Sequence, residues 1–213
     1  AGISISTYTG DGNGGATVGH GLGVTPATVI VAPRSNGDHR LVSNWQTGVT
    51  AFSEKIKFNS HETAEGSSQV TAGSSTTFTL GTDPNVNGSG RTYVAWVFAE
   101  VDGFSRFGTY TGNGDADGPF VSCGFRPRFV IVRAVDEAAN WEMLDTARSI
   151  HNLARLSLRP DNSNKESDQT RDQMDFLSNG FKIRTTYGNH NTSDDEYIFM
   201  AFAETPFKTA TAK

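Results

Sequence analysis

Residues 91–100 read RTYVAWVFAE, and residues 195–204 read DEYIFMAFAE. The residues that match at one constant offset are Tyr93 and Tyr197, Phe98 and Phe202, Ala99 and Ala203, and Glu100 and Glu204. Aromatic and β-branched residues dominate both segments, which favours a strand over a helix. Apolar residues occupy both alternating positions, a pattern typical of strands buried on both faces. We therefore expect each segment to lie at the centre of a sheet.

Further segments recur in the same order in both halves of the chain. The matched pairs are YTGDG (8–12) with YTGNG (110–114), GLGVTPATVIVA (21–32) with SCGFRPRFVIVRA (122–134), Trp45 with Trp141, and FTLG (78–81) with FKIR (181–184). Because the order is preserved, we predict a tandem internal duplication. The expected domains are a first repeat at 1–100, a linker at 101–107, and a second repeat at 108–213 that ends in a short tail.

Composition and turn signals indicate an all-β fold. The chain has 213 residues with 23 glycines, and its short β-branched runs are separated by Gly, Asn and Asp. We predict two tandem, internally duplicated antiparallel β-sandwich repeats of jelly-roll or lectin-like type. Leu153, Leu156 and Leu158 fall in one candidate strand, and segments 61–75 and 83–90 read as surface loops. Residues 166–177 offer one alternative helix.

Several classes of partner are disfavoured by composition. The net charge is −5 and no dense Lys/Arg run occurs, which argues against nucleic acid. No apolar run approaches the roughly 18 residues of a membrane span, so we expect no membrane insertion. The first residues lack the basic and apolar regions of a signal peptide. Cys123 is the one cysteine, which excludes an intrachain disulfide and predicts a buried or half-buried thiol.

The recurring motifs carry a family resemblance. Each half has Y-T-G-[DN]-G, a G-x-x-P before a V-I-V strand, an Asn-Trp pair, a Gly-Phe segment or its counterpart, and a closing Y-[VI]-x-[WM]. This order resembles a repeat common in bacteriophage tail-fibre and other virion-surface proteins, similar to concanavalin-like β-sandwiches. The second half has the fuller motif NWEMLDTAR (140–148), whereas Met200 replaces the Trp found at position 96. The resemblance implies a structural protein of the virion without a cofactor, assembled as a homo-oligomer, most often a trimer.

Acidic, histidine and glycine clusters are the candidates for catalytic or metal sites. Glycoside hydrolysis needs two convergent carboxyls, for which the candidates are Asp136, Glu137 and Glu142, or Asp194, Asp195 and Glu196. Calcium needs clustered oxygen ligands, for which the candidates are Asp11, Asn13, Asp115, Asp117, Asp194 and Asp195. The histidines, His20, His39, His61, His151 and His190, lack zinc spacing. Solvated loops and tight turns explain these residues better, including DGNGG (11–15), so we predict no catalytic and no metal site.

Glycan recognition is the binding function that we expect. The segment at Tyr187, Asn189, His190 and Asn191 combines an aromatic ring with amides in a segment expected to be exposed. Trp141 is a further glycan candidate, although its match to Trp45 favours a repeated core anchor. The alternative for 187–191 is an ordinary loop.

The sequence thus predicts a non-enzymatic bacteriophage virion protein. Its expected role is in the tail or tail fibre, attaching the particle to host-surface glycans. Its expected partners are other virion proteins, further copies of itself and a host glycan. One alternative is a capsid-decorating or head-fibre protein. A second is a polysaccharide depolymerase, which would need a convergent carboxylate pair.

Overall fold

The computed structural model describes residues 2–34, 41–43, 54–60, 62, 65–66, 69–168 and 174–205. The chain divides into two compact units. Unit 1 comprises residues 1–60 and 64–100, and unit 2 comprises residues 61–63 and 101–213. Both units are mostly β, with antiparallel sheets. The predicted all-β class is confirmed at this level.

Unit 1 contains nine described strands and one helical turn. They are β1 (Ile3–Thr9), β2 (Thr17–Gly19), β3 (Thr28–Pro33), β4 (Leu41–Ser43), β5 (Glu54–Lys57), β6 (Glu65–Gly66), β7 (Val70–Gly73), β8 (Thr77–Leu80), α1 (Pro84–Asn87) and β9 (Thr92–Phe98). They form a six-stranded sheet, β1-β9-β3-β4-β5-β6, and a three-stranded sheet, β2-β8-β7. One buried cluster draws side chains from both sheets, including Val31, Phe78 and Tyr93.

Unit 2 also contains nine described strands and one helical turn. They are β10 (Ser105–Thr111), β11 (Phe120–Ser122), β12 (Pro127–Ala134), β13 (Glu142–Asp145), β14 (Leu156–Ser157), β15 (Ser167–Asp168), β16 (Met174–Leu177), β17 (Gly180–Ile183), α2 (Gly188–Asn191) and β18 (Glu196–Ala203). The sheets are β10-β18-β12-β13, β11-β17-β16 and β14-β15. The first two share one core cluster, which includes Val132, Phe181 and Tyr197.

The two strands expected at sheet centres lie inside their sheets, each between two partner strands, although β9 is next to the edge strand of its six-stranded sheet. β9 pairs with β1 and β3, and β18 pairs with β10 and β12. In β18 both faces are buried, because Ile198 and Met200 are as enclosed as Phe199. In β9 only one face is fully buried, whereas Trp96 on the other face is half-buried. The expectation of two buried faces is therefore confirmed for β18 and wrong for β9.

Three local expectations differ from the structure. Segment 61–75, expected to be a loop, contains β6 and β7. Segment 83–90 contains α1, which Asp83 caps by accepting a hydrogen bond from the Asn85 backbone N–H. The described ends of the alternative helix at 166–177 are the strands β15 and β16. Of the three leucines of one candidate strand, Leu156 alone lies within a named strand.

A stacked tyrosine pair joins the sheet to the helical turn in each unit. Tyr8 stacks on Tyr93 with ring centroids 5.1 Å apart, and Tyr110 stacks on Tyr197 at 5.0 Å. Each pair is a directly opposed cross-strand pair, which is the closest contact that a sheet offers two side chains. The hydroxyls of the pair bond the backbone of α1 in unit 1 and of α2 in unit 2.

The hydroxyl of the tyrosine on β9 or β18 both donates and accepts a hydrogen bond. Tyr93 donates to the Pro84 carbonyl at 2.6 Å and accepts from the Gly88 N–H at 2.7 Å. Tyr197 donates to the Gly188 carbonyl and accepts from the Thr192 N–H at 2.8 Å. Burial raises the pKa of Tyr197, so its hydroxyl stays a protonated donor. The helical turn is thus held to the central strand and not only covalently linked to it.

In each unit, a glycine two residues after the first tyrosine of the pair allows the backbone to approach the helical turn. A Cβ at Gly10 would lie 2.5 Å from the Gly88 carbonyl oxygen. A Cβ at Gly112 would overlap the Thr192 carbonyl oxygen in the same way. Both clashes are with backbone, which cannot move aside as a flexible side chain can. The YTG motif therefore needs glycine for space.

Replacing Gly112 tests this close approach. We expect Gly112→Ala to lower the free energy of unfolding by about 1–3 kcal/mol or more, because the added methyl overlaps backbone. The matched control is Gly21→Ala, where nothing lies within 4 Å of the added Cβ. Urea unfolding followed by circular dichroism measures both variants. Equal stability of the two variants would contradict the packing argument.

Candidate functional site

The segment expected to be an exposed glycan-binding loop is instead a buried helical turn. Asn189 is 9% exposed, and His190 and Asn191 are both 0% exposed. Tyr187 is half-buried, with its ring 6.3 Å from the His190 ring. The turn packs against β12. The expectation of exposure is therefore wrong, because these polar side chains serve the interior of unit 2.

Asn191 shows why a polar residue is buried there. Its Oδ1 accepts from the Asn113 N–H at 2.8 Å, and its Nδ2 donates to the carbonyls of Asp115 and Thr185 at 2.7 and 2.9 Å. A buried amide is tolerated when its hydrogen-bonding groups are satisfied. Asn191 thus fastens the YTGNG turn to the segment before α2.

Asn87 makes the corresponding bonds in unit 1. Its Oδ1 accepts from the Asp11 N–H at 3.0 Å, and its Nδ2 donates to the carbonyls of Asn13 and Gly81, both at 2.9 Å. Asn87 is also 0% exposed. We call Asn87 and Asn191, with the turns that they hold, the asparagine clamps.

Trp141 lies in the interior and not on a sugar-binding surface. It is 0% exposed, and the guanidinium of the equally buried Arg133 lies 5.7 Å from its ring centroid. Burial lowers the pKa of Arg133 to about 10, which still leaves it cationic at neutral pH. The alternative of a core anchor is confirmed for Trp141. Its predicted counterpart, Trp45, lies outside the described residues.

Glu142, one of the candidate catalytic carboxylates, is locked into a buried ion pair. It is 0% exposed, and its Oε1 accepts from Arg159 Nε at 2.7 Å and from Asn189 Nδ2 at 2.8 Å, while Arg159 Nη2 lies 2.7 Å from the same oxygen in the ion pair. The pair compensates a charge that would otherwise be costly to bury. Asn189 therefore has a structural partner, and it is not presented for binding.

Four of the other acidic candidates also have structural partners. Asp136 accepts from the Glu196 N–H at 2.8 Å, at the start of β18. Asp11 and Asp115 close their own turns by accepting backbone N–H groups two residues ahead. Asp117 pairs with Lys182 and Arg184 at 3.1 and 2.8 Å, and Lys182 is the leading cause of its lowered pKa.

Within the described part of the chain, no group of three or more His, Cys, Asp or Glu side chains is placed to hold a metal ion. None of the helices described is both long and apolar enough to cross a membrane.

One groove among the described residues of unit 2 has the size of a small-ligand site. Its volume is about 480 Å³, within the range of about 300–1,000 Å³ that small-ligand sites occupy. The lining residues are Ser149, Ile150, His151, Asn152, Leu153, Arg155, Leu156 and Asp168. The lining combines apolar and polar side chains. Sequence reasoning did not select the groove, because this segment carries no motif that recurs in the first half.

The loop that forms most of the groove is held in one conformation. Asn152 bonds both backbone groups of Phe176 in β16, accepting from its N–H at 3.0 Å and donating to its carbonyl at 3.1 Å. Ala154 and Met174 exchange backbone bonds at 2.8 and 3.1 Å. Ser149 Oγ accepts from the N–H groups of Arg155 and Leu156, both at 3.3 Å. We call residues 149–156 the pinned loop.

The pinned loop presents its side chains to solvent. Ile150 is 71% exposed and Leu153 is 39% exposed. Arg155 Nε lies 3.7 Å from Asp168 Oδ1, and the two side chains are 48% and 63% exposed. A rigid loop with exposed apolar and charged groups loses little conformational entropy on binding. The pinned loop is therefore our candidate binding surface.

Removing Arg159 tests the buried ion pair. We expect Arg159→Met to destabilise unit 2 by about 3–5 kcal/mol, because Glu142 is then buried without its cation. The double variant Arg159→Met/Glu142→Met should recover most of that loss. Arg126→Met is the control, since its bond to Glu204 joins side chains that are 44% and 36% exposed, and should cost less than about 1 kcal/mol. A single variant as stable as the control would contradict the structural role of Glu142.

Cys123 provides a test of core packing. The prediction of a buried or half-buried thiol is confirmed, and burial raises the pKa of Cys123 to about 12. Because the thiolate is the reactive form, we expect very slow labelling by a thiol reagent at pH 8. The rate should rise as the pH approaches 12, and denaturant should allow rapid labelling of the same thiol. Fast labelling of the folded chain at pH 8 would contradict the packing.

Comparison with known protein families identifies the family of this chain. A family described as a domain of unknown function, DUF7483, matches residues 1–206. No curated protein and no solved structure matches the chain. The matched region spans both units and includes the asparagine clamps and the pinned loop. The chain therefore belongs to the DUF7483 family.

Proposed function

We propose that this chain is a non-enzymatic bacteriophage virion protein of the tail or tail fibre, and that it attaches the particle to host-surface glycans. The observation that carries the proposal is the pinned loop, which holds a mixed apolar and polar groove at the surface of unit 2. The virion setting is supported by the motif order that resembles tail-fibre repeats.

The proposal includes a finer description of the fold. We infer two tandem copies of one jelly-roll or lectin-like β-sandwich, related by internal duplication. In support, each unit has a stacked tyrosine pair, a helical turn before the closing strand and an asparagine clamp on a YTG turn. The pinned loop belongs to unit 2. A duplicated scaffold of this kind supports a binding loop that differs between its copies.

The groove has the chemistry that a sugar requires. Arg155 and His151 supply hydrogen-bond donors, and Asp168 supplies an acceptor for hydroxyl groups. Ile150 and Leu153 offer apolar contact to the C–H face of a ring. Asn152 is occupied by the backbone of Phe176 and serves to hold the loop. The expected ligand contacts are therefore the exposed groups on either side of Asn152.

The environment of the carboxylates supports binding over hydrolysis. Glu142 is enclosed by Arg159 and Asn189, and Asp136 caps a strand. A general acid or nucleophile must reach the glycosidic bond, and Glu142 is buried. These roles favour attachment over the alternative of a depolymerase. Weak single-site binding would be compensated by several copies on one particle.

Binding to an array of bacterial surface glycans tests the proposal. We expect the chain to bind at least one glycan, and Arg155→Ala and Asp168→Ala each to weaken binding by about tenfold or more, as loss of a charged hydrogen-bonding group does. Both side chains are exposed, so their loss should change stability by less than about 0.5 kcal/mol.

Arg126→Ala is the matched control. Arg126 forms a similarly exposed ion pair, with Glu204, and lies outside the groove lining. Its glycan binding should equal that of the unaltered chain. Absence of glycan binding, or binding that the two groove variants leave unchanged, would contradict the proposed role of the pinned loop.

A further inference from the structure

β1 forms an edge of the six-stranded sheet of unit 1, with no further strand beside it among the residues that the structure describes. β1 pairs with β9 along one side only. The register of this pairing is unbroken, from Ile3 opposite Phe98 to Thr9 opposite Thr92. Gly2 accepts from the Ala99 N–H, and Gly10 donates to the Arg91 carbonyl. In an antiparallel ladder both backbone groups of every second residue face the same neighbour. The even-numbered residues of β1 therefore bond β9.

The odd-numbered residues of β1 consequently point their backbone groups away from β9. These residues are Ile3, Ile5, Thr7 and Thr9. None of the residues that the structure describes forms a backbone hydrogen bond with these outward groups. Side chains of β1 bond elsewhere, as Ser6 does with the Gly19 carbonyl at 2.7 Å, but they leave this row of N–H and carbonyl groups open.

The edge lacks the features that usually protect an exposed strand. Natural edges are interrupted by charged residues, by proline or by a bulge. β1 reads ISISTYT, with no charge and no proline, and its pairing with β9 is unbroken. Ile3 and Ile5 are 42% and 64% exposed. They lie opposite Phe98 and Trp96 on the same face of the sheet, so the apolar surface continues inward from the edge.

The corresponding edge of unit 2 is different. β10 is likewise the first strand of its sheet and pairs with β18, and its Ser105 also exchanges backbone hydrogen bonds with Val101. Its Ser105 and Phe107, at odd positions facing away from β18 by the same argument, are only 2% and 7% exposed. The outward positions of β10 are therefore covered, whereas those of β1 are exposed.

We propose that β1 pairs with β1 of a second copy of this chain, in an antiparallel arrangement about a two-fold axis. Because the open groups belong to odd-numbered residues, odd residues must face odd residues. The register with Ile5 opposite Ile5 also places Ile3 opposite Thr7, which gives β-branched cross-strand pairs on the exposed face. The strand is neutral, so an identical strand meets no like charge.

Such a two-fold pair is isologous and joins the two six-stranded sheets into one continuous sheet. It also extends the apolar face at Trp96 and Phe98 across the axis. This arrangement is a dimer, whereas the resemblance to tail-fibre repeats implies a trimer. It does not depend on the glycan function, because the edge lies in unit 1 and the pinned loop in unit 2.

The mass of the chain in solution, measured by sedimentation over a range of concentrations, tests the pairing. We expect a reversible dimer, and Ile5→Lys should weaken it by at least about tenfold, because two lysines would face each other across the axis. Val24→Lys is the control, since Val24 is 49% exposed and lies outside β1. It should dimerise like the unaltered chain.

A second variant keeps the test valid if Ile5→Lys folds poorly. Thr7→Pro removes one outward N–H and leaves the bonds to β9 intact, which is the position where an edge strand tolerates proline. It should also weaken the dimer, and the amides of Ile5 and Thr7 should exchange more slowly with solvent as the concentration of the unaltered chain rises.

Three results would overturn the proposal. The first is a chain that remains monomeric at every concentration. The second is a dimer or trimer that Ile5→Lys and Thr7→Pro leave unchanged, which would place the interface elsewhere. The third is a monomer whose Ile5 and Thr7 amides become protected only when an extended strand of another protein is added.

Discussion

The asparagine clamps are the constraint on which the rest of each unit depends. A single buried amide joins the glycine turn that follows the first strand to the segment that precedes the last strand. The tyrosine pair lies beside the clamp and fixes the helical turn to the central strand. The clamp and the tyrosine pair each join segments that are far apart in sequence. They therefore connect the beginning of each unit to its end. Without them, four or more backbone groups near the turn would lose their partners in the interior.

Much of this framework could be predicted from the sequence. The closing segments at Tyr93 and Tyr197 have the composition of interior strands, and each lies between two partner strands. The sequence also predicts tight turns at DGNGG (11–15) and at Asp115, and Gly10 and Gly112 beside these turns are required by close backbone contacts. These features depend on local composition and period, which a sequence displays directly.

The candidate site could not be predicted in the same way. Asn189 and Asn191 look like surface residues, but their partners are Glu142 and the backbone near residue 113. The buried polar groups of unit 2 are therefore hydrogen-bonded to residues of distant segments, and no local sequence pattern predicts these contacts. The pinned loop was missed for a related reason. Asn152 holds this loop by hydrogen bonds to the backbone of Phe176, and the sequence of residues 149–156 contains no pattern that predicts this contact.

Buried polar groups and exposed apolar groups thus have separate tasks in this chain. Asn191 and Glu142 stabilise the scaffold from within. Ile150 and Leu153 on the pinned loop, and Ile5 on the open edge, lie at the surface, where they are available to partners. A rigid scaffold that carries exposed contacts suits attachment better than chemistry, and this is the basis of the proposed function.

Immunogold electron microscopy separates the proposed attachment role from capsid decoration. Antibody against this chain would be applied to intact particles of the proposed phage. We expect label confined to the tail or its fibres. Label spread over the head would contradict host attachment as the main role and would favour capsid decoration. Intact particles that carry no label, when the disrupted particles also lack the chain, would contradict membership in the virion.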